Sequence, residues 1–197
     1  MNIHPTADLG SLKLSQEKVD NLLARVRQEV DEGLLPAAQV AVARNGQLAV
    51  FESFGAASDE SLFCIFSATK AITASAVWML LEEGELSLSE RVVDIIPAFA
   101  ENGKETVTVE HLLTHTAGFP DAPFRSLDWL DLGRRYERFA QWRLAWEPGS
   151  RFVYHPTSTM WVLAEILERR GGLAFQQFIR ERIAMPLGLP DLYVGLP

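Results

Sequence analysis

Residues 66 to 81 read FSATKAITASAVWMLL and predict a buried helix that carries one unexpected charge. After Lys70 this run holds no charged residue and is apolar nearly all round, which is typical of a helix buried on every side. Ser67 is a favoured N-cap residue and Gly84 a favoured helix stop, so the pattern predicts a helix between them. Lys70 would lie in the first turn, where burial and the positive end of the helix dipole both disfavour a cation. Such conflicts with local preference tend to mark functional sites.

Ser67 and Lys70 are spaced so that they lie side by side on one face of the predicted helix. A serine hydroxyl is a poor nucleophile until a base takes its proton. A lysine can act as that base when its pKa falls, and burial and a helix N-terminus both lower the pKa of a lysine. The pair therefore fits a nucleophile and its base. The alternative is a capping serine followed by a lysine that extends to solvent.

Composition and charge are those of a globular protein and argue against two kinds of partner. The chain has 197 residues, 48% hydrophobic and 22% charged, a length that suits one domain of moderate size or one and a half. A net charge of −8 and a pI near 5.0 argue against nucleic acid or an anionic membrane as the main partner. The N-terminal MNIHPTADLG lacks the segments of a signal peptide, so a cytoplasmic protein is predicted. Cys64, the only cysteine, is predicted to be a buried apolar filler.

The first third of the chain predicts one helix and one β-hairpin. Residues 15–32 show the period of an amphipathic helix, which Ser15 would cap. Two strand-like runs, AAQVAVAR and QLAVFESF, flank Asn45-Gly46, a pair that favours a type I′ hairpin turn. A two-stranded hairpin alone is marginal in water. No later segment reads as a third strand, so either helices cover the hairpin or strands come from outside this chain.

The rest of the chain reads almost entirely as helix. Helices are predicted near 90–96, after a cap at Thr108, and over 134–142, 157–170 and 174–184. Core packing is the default role for most of the five tryptophans. The basic run Arg134, Arg135 and Arg138 is predicted to be a solvated helix face.

Four segments of the chain resemble motifs of the serine beta-lactamase-like family. Residues 66–99, FSATKAITASAVWMLLEEGELSLSERVVDIIPAF, resemble its active-site helix region. HLLTHTAGF at 111–119 resembles its "LLTHTSG" loop, and PGSRFVYHP at 148–156 its catalytic tyrosine segment. MPLGLPDLYVG at 185–195 resembles its "PLGM" segment. The family includes class C beta-lactamases, DD-peptidases and family VIII carboxylesterases, and the motifs stand in family order from about residue 15 to the last residue.

The resemblance implies roles for individual residues. Ser67 would be the acylated nucleophile, Lys70 its partner base and Tyr154 the second proton-transfer group. A tyrosine normally titrates near ~10, so such a role requires the charge of Lys70 nearby. The backbone N–H of Ser67 would be one oxyanion donor, and the second would come from a segment outside this chain. Phe119, Trp129 and His155 are candidates to contact the substrate.

Departures from the family pattern shape the expected activity. The family's lactamases and peptidases usually have an asparagine where this chain has Pro156, which cannot donate a side-chain hydrogen bond. Recognition of a lactam or peptide amide is therefore less favoured than ester hydrolysis. Ala117 replaces the usual serine of the "LLTHTSG" loop, which we interpret as a packing change. No Lys-Thr-Gly or His-Thr-Gly motif is present, although the family carries one on later sheet strands.

The expected architecture is the α/β beta-lactamase-like fold, an antiparallel sheet flanked by helices plus a helical subdomain. Residues 1–60 would hold the N-terminal helix and hairpin of the α/β part. Residues 61–197 would hold the helical subdomain with the Ser-x-x-Lys and tyrosine motifs. The family's C-terminal strands are absent from this chain, so a complementary C-terminal chain is a possible partner beside a small-molecule ester. No cofactor or metal is expected, and a carboxylesterase is the predicted activity, with a beta-lactamase, DD-peptidase or acyltransferase as alternatives.

Two other interpretations stay open. His111 and His115 have the i, i+4 spacing of a helical zinc site, and His155 and His4 are also available. The metalloprotease motif requires a glutamate after the first histidine, where this chain has Leu112, so ordinary helix-face histidines are favoured. A non-catalytic scaffold fragment that keeps the fold is the second alternative.

Overall fold

The computed structural model describes residues 6–195, and the chain divides into two compact units between Cys64 and Ile65. In the first unit, the side chain of Ser15 accepts a hydrogen bond from the Lys18 N–H and caps the first helix, as predicted. That helix packs against both strands of the hairpin. The elements of this first unit are α1 (Gln16–Asp31), β1 (Ala37–Arg44) and β2 (Gln47–Gly55).

The hairpin forms around the predicted turn. Asn45 and Gly46 both have positive φ, 52° and 73°, as a type I′ turn requires. A bulge between Val42 and Ala43 leaves Ala49 without a partner across the ladder. Ala49 and Val50 can therefore both be buried although they are neighbours in sequence. Within residues 6–195 the sheet contains these two antiparallel strands and no third.

The second unit is helical. Thr108 caps α4 by accepting from the His111 N–H at 3.3 Å, which confirms that predicted start. The helix α5 was not predicted, because its four residues are too few to show a period. None of the helices in the described residues is long and apolar enough to cross a membrane. The elements are α2 (Thr69–Glu82), α3 (Val92–Ile95), α4 (Val109–Leu113), α5 (Ser126–Trp129), α6 (Leu132–Gln141), α7 (Ser158–Gly171), α8 (Phe175–Ile179), 3₁₀ turns at Phe66–Ala68, Pro97–Ala100 and Lys104–Thr106, and a π-helical turn at Arg180–Ala184.

The helix α2 is buried on one face only, which corrects the prediction that it is buried on every side. It packs against α7 and α8, and Ala76, Val77 and Leu80 lie in the core of the second unit. Trp78 lies on another face and is 59% exposed. The apolar side chains of α2 therefore cover more of its surface than α7 and α8 bury.

Cys64 also differs from the prediction. Its side chain is exposed rather than buried. It lies in an irregular segment between β2 and the 3₁₀ turn at Phe66–Ala68, outside both apolar clusters of the described residues. An apolar-filler role is therefore wrong.

Candidate active site

The structure brings Ser67, Lys70 and Tyr154 together. The Oγ of Ser67 accepts a hydrogen bond from the Lys70 Nζ at 3.1 Å and another from the Tyr154 hydroxyl at 2.8 Å. Lys70 is half-buried, and its Nζ lies 5.1 Å from the centroid of the Tyr154 ring. A serine hydroxyl between an amine and a phenol can lose its proton to either group when that group is deprotonated, as nucleophilic attack requires.

Ser67 lies in the 3₁₀ turn that precedes α2. Phe66 has a φ of 44°, in the left-handed region that few residues other than glycine adopt, and the chain turns sharply there. The N-cap of α2 is Ala68, so the prediction that the Ser67 side chain caps the helix is wrong. The hydroxyl instead bonds to Lys70 and Tyr154. Among residues 6–195 we find no acceptor for the Ser67 backbone N–H, which is therefore available to an incoming oxygen.

The environment of Tyr154 favours its ionised form. Hydrogen bonding with Lys70 is the largest cause and the hydrogen bond with Ser67 the second, and together they hold the pKa of Tyr154 below its ordinary value of 10.0. The side chain is 45% exposed, so water reaches the phenol. A phenol of lowered pKa can exchange a proton with Ser67 at a lower pH than a free tyrosine.

Two of the three side chains predicted to contact the substrate lie in the interior. Phe119 is 2% exposed and His155 is fully buried. The Nε2 of His155 accepts from the Phe119 N–H at 3.2 Å, and its Nδ1 lies 2.6 Å from the Val153 carbonyl oxygen and so carries the proton. This corrects their assignment, because the Phe119 ring packs in the apolar core, the His155 ring bonds to two backbones, and neither lines the cavity beside Ser67.

A cavity of about 370 Å³ opens next to Ser67. Trp129, the third predicted contact residue, lies on its wall. Of the charged side chains in the described part of the chain, Lys70 alone lines it. The wall is mainly apolar, so the cavity suits an uncharged apolar group. Its large apolar side chains are Phe66, Trp129, Met160, Trp161, Phe175 and Val194.

Arg135 holds Trp129 in place, a contact that the sequence did not indicate. Its guanidinium carbon lies 3.6 Å from the centroid of the Trp129 ring, and its Nη2 donates to the Trp129 carbonyl oxygen at 2.7 Å. Arg135 is 8% exposed and pairs with Glu165 and Glu168 of α7. The prediction that this arginine lies on a solvated face is therefore wrong.

The histidines do not form the helical zinc site considered above. The helix α4 ends at Leu113, so His115 lies beyond it rather than one turn after His111 on the same face. The Nδ1 of His111 accepts from the Thr108 N–H at 3.2 Å, which completes the helix cap. No group of three metal-binding side chains is found in residues 6–195, and His4 lies outside the described residues.

Comparison with known proteins agrees with this geometry. A model of the family described as Beta-lactamase matches residues 22–197. The esterase EstB of Burkholderia gladioli is 30% identical over an alignment of 202 positions that covers 87% of this chain and 51% of EstB. The structure of a penicillin-binding protein homologue from Caulobacter crescentus is 34% identical with a TM-score of 0.71, and covers 86% of this chain and 48% of that chain.

A crystal structure of a family VIII carboxylesterase has a TM-score of 0.77 at 30% identity, over 92% of this chain and 52% of that one. The matches cover between about a quarter and a half of the length of the curated relatives, and about half of EstB and of the two solved structures. These structures establish the beta-lactamase-like fold for the part of it that the chain covers. The chain belongs to the beta-lactamase family of serine hydrolases, whose members include esterases, DD-peptidases and beta-lactamases.

Proposed function

We propose that the chain carries the nucleophile of a carboxylesterase that works through an acyl-enzyme on Ser67. The observation that carries this proposal is the position of the Ser67 Oγ, 3.1 Å from the Lys70 Nζ and 2.8 Å from the Tyr154 hydroxyl oxygen. Two groups that can exchange a proton with one exposed hydroxyl satisfy the geometric requirement for nucleophile and base.

In the proposed reaction Ser67 Oγ attacks the ester carbonyl carbon. Its proton passes to the deprotonated member of the pair Lys70 and Tyr154, and the lowered pKa of Tyr154 favours the phenolate for this role. The negative carbonyl oxygen would accept from the free N–H of Ser67. The C–O bond to the alcohol then breaks, and the alkoxide takes the proton back. Water attacks the acyl-enzyme by the same route, which releases the acid and restores Ser67.

Two features favour an ester over a lactam or a peptide as substrate. Pro156 stands two residues after Tyr154 and offers no side-chain donor to a substrate amide. The cavity beside Ser67 is lined mainly by apolar side chains. It would take the acyl group of an ester with a bulky, uncharged acyl chain. Binding of such a group is driven by the apolar surface that it buries, not by paired charges.

We further propose that full activity needs a polypeptide segment in addition to residues 6–195, in the same or a second chain. The two-stranded sheet of the described residues leaves strand edges to be paired, and such a hairpin alone is marginal. Ser67 offers one backbone oxyanion donor, and acyl transfer normally uses a second. The match covers about half of EstB and about half of the family VIII carboxylesterase.

The test is labelling with a fluorophosphonate, followed by intact mass, in wild type and Ser67→Ala. One adduct on wild type and none on Ser67→Ala supports a serine hydrolase. Labelling that appears only after the C-terminal half of a family member is added supports the need for a further segment. No adduct under either condition would favour the scaffold interpretation. Turnover of p-nitrophenyl esters against nitrocefin and a D-Ala-D-Ala peptide then separates the esterase from the alternatives.

A further inference from the structure

His115 contacts the backbone on both sides of Tyr154. Its carbonyl oxygen accepts from the Val153 N–H at 3.2 Å, and its ring Nδ1 accepts from the His155 N–H at 3.2 Å. Its ring packs against that of Tyr154, with 5.0 Å between the centroids and an angle of 53°. One side chain and its own carbonyl group thus meet three consecutive residues of the tyrosine segment.

The tyrosine segment is anchored on one side of Tyr154 by the buried His155, which accepts from the Phe119 N–H, but not by a helix or strand of its own. Residues 151–155 form no helix or strand, and the side chain of Tyr154 is half-exposed. Its hydroxyl donates to Ser67 at 2.8 Å and also interacts with Lys70, so both contacts depend on where the segment places the side chain. A rotation of the segment would swing the hydroxyl away from Ser67 unless the backbone is held by its neighbours.

His115 is itself held firmly enough to act as a support. It adopts a φ of 58° just after Thr114, the C-cap of α4, and the next residue, Thr116, donates to the His111 carbonyl oxygen at 3.0 Å. Thr116 in turn accepts from the Gly149 N–H at 2.9 Å. The loop that carries His115 is therefore tied to the end of α4 on one side and to the tyrosine segment on the other.

We infer that His115 is a positioning residue that aims the Tyr154 hydroxyl at Ser67. This inference rests on the proposed function, since the aim matters for catalysis only if Ser67 and Tyr154 act as proposed. Among the described residues no hydrogen bond joins the His115 ring to Ser67, Lys70 or the Tyr154 hydroxyl, and its Nδ1 is occupied by the His155 N–H. It acts through the direction that it imposes on Tyr154.

The support requires a neutral ring. An Nδ1 that accepts a hydrogen bond carries no proton, so a neutral His115 has its proton on Nε2. Burial first, then His155 and Lys70, lower the pKa of His115, which favours this form at neutral pH. The rings of Tyr154 and His155 are the other titratable groups that pack against His115. The charge of Asp121 acts on His155 and favours its protonated form.

The first test compares His115→Gly with its matched control His115→Asn. Both residues tolerate a positive φ, but only asparagine offers an oxygen that can replace Nδ1 as acceptor. Tyrosinate absorbance is measured as a function of pH. The contribution of Tyr154 is the absorbance of the protein minus that of the same protein carrying Tyr154→Phe. We expect a midpoint below ~10 in wild type and His115→Asn, and a rise toward ~10 in His115→Gly, because the tyrosine then leaves Lys70 and Ser67. An unchanged midpoint in a folded His115→Gly would overturn the inference.

A second measurement covers the case in which His115→Gly does not fold. In ¹⁵N-labelled wild type, the His155 amide signal should change with the same midpoint as the His115 ring, below 6.5. A His155 amide signal that does not change as the His115 ring titrates would overturn the inference, since the hydrogen bond to Nδ1 would then be absent in solution.

Activity separates this inference from the proposed function. In protein that hydrolyses an ester, together with any further segment it needs, His115→Gly should lower kcat by ~10-fold to ~100-fold with KM little changed, and His115→Asn should restore most of it. If Ser67→Ala and Tyr154→Phe remain active, the proposed function fails while the absorbance result still decides the geometry. If they lose activity and His115→Gly does not, the positioning role alone is wrong.

Discussion

The hydroxyl of Tyr154 donates to the Oγ of Ser67 across 2.8 Å, although 87 residues separate the two in sequence. The two lie in one compact unit, Tyr154 in an irregular segment before α7 and Ser67 in a 3₁₀ turn before α2. The packing of α2 against α7 brings these two segments together. The site thus depends on a helix–helix contact as much as on its own side chains.

Replacing Tyr154 by phenylalanine should leave the fold intact and remove the proton-transfer group. We expect kcat for ester hydrolysis to fall by ~10²-fold to ~10⁴-fold, which is the usual contribution of a general acid or base. The measurement is steady-state turnover with the thermal midpoint of unfolding as a check on folding. The matched control is Tyr193→Phe, an exposed tyrosine that does not line the cavity and whose hydroxyl bonds to Asp191, so its loss should not change kcat. Equal effects of the two variants would contradict a role for Tyr154.

Removing the amine of Lys70 should raise the pKa of Tyr154. Hydrogen bonding with Lys70 is the main cause of its lowered pKa, so Lys70→Met should move its titration toward the ordinary value of 10.0. If the phenolate is the base, wild-type kcat/KM should fall as the pH drops through the lowered pKa, because the base is then protonated. Tyrosinate absorbance and a pH profile of kcat/KM check the two parts. A Tyr154 titration unaffected in Lys70→Met would show that the two side chains do not interact in solution.

Arg135 should matter for both stability and the shape of the cavity. In Arg135→Met the carboxylates of Glu165 and Glu168 lose a buried partner, and Trp129 loses its support. We expect the free energy of unfolding to fall by ~3 kcal/mol or more, as when one member of a buried ion pair is removed. Urea denaturation measures this.

The exposed neighbour Arg134 provides the control for that experiment. Arg134→Met should change the free energy of unfolding by less than ~0.5 kcal/mol, as is usual for a surface site. Selectivity between bulky and short acyl esters should change in Arg135→Met and not in Arg134→Met. A stable Arg135→Met with unchanged selectivity would mean that Trp129 holds its position without the ion pairs.

Lys104 should give the protein a stability that increases at alkaline pH. The side chain is fully buried, and its Nζ donates to the carbonyl oxygens of Glu101, Ala140 and Trp142. Burial is the main cause that lowers its pKa to about 8 from 10.5. Between these values the unfolded chain binds the proton more tightly than the folded one, so the free energy of unfolding rises with pH.

The variant Lys104→Met isolates this contribution. The difference in the free energy of unfolding between wild type and variant should grow in favour of wild type by ~1–2 kcal/mol from pH 7 to pH 9.5. Urea denaturation at the two pH values measures it, and groups common to both proteins cancel. A difference that stays constant, or shrinks as the pH rises, would contradict the lowered pKa of Lys104.

Much of the fold could be predicted because the deciding signals are local. The Asn45-Gly46 turn and the Ser15 cap each depend on a few adjacent residues, and both form as predicted. The pair Ser67 and Lys70 is also local, since three positions along a helix-like turn bring the two side chains together.

Features that depend on distant residues were missed. From the sequence, Arg135 looks like one of three exposed arginines. Its ion-pair partner Glu165 is 30 residues away, so no nearby residue indicates that the arginine is buried. His115 looks like a helix residue, because the helical period of α4 does not show that the chain turns off at Leu113. Tyr154 was found only through resemblance to the family, since its partner Ser67 lies 87 residues away. The glycine after Ala117 could have warned of the sharp loop, as Gly118 has a φ of 92° with no room for a Cβ beside the Trp146 carbonyl oxygen.

The residues that line the cavity differ in how firmly the rest of the protein holds them, and this difference shows where its selectivity can be engineered. Trp129 is tied to a buried ion network, so reshaping the pocket there would cost stability. Phe66 also lines the cavity but is 81% exposed, so little burial is lost when it is replaced. Its positive φ suits asparagine or glycine better than phenylalanine. Position 66 is therefore where a library of variants could widen the range of accepted acyl groups while the fold stays intact.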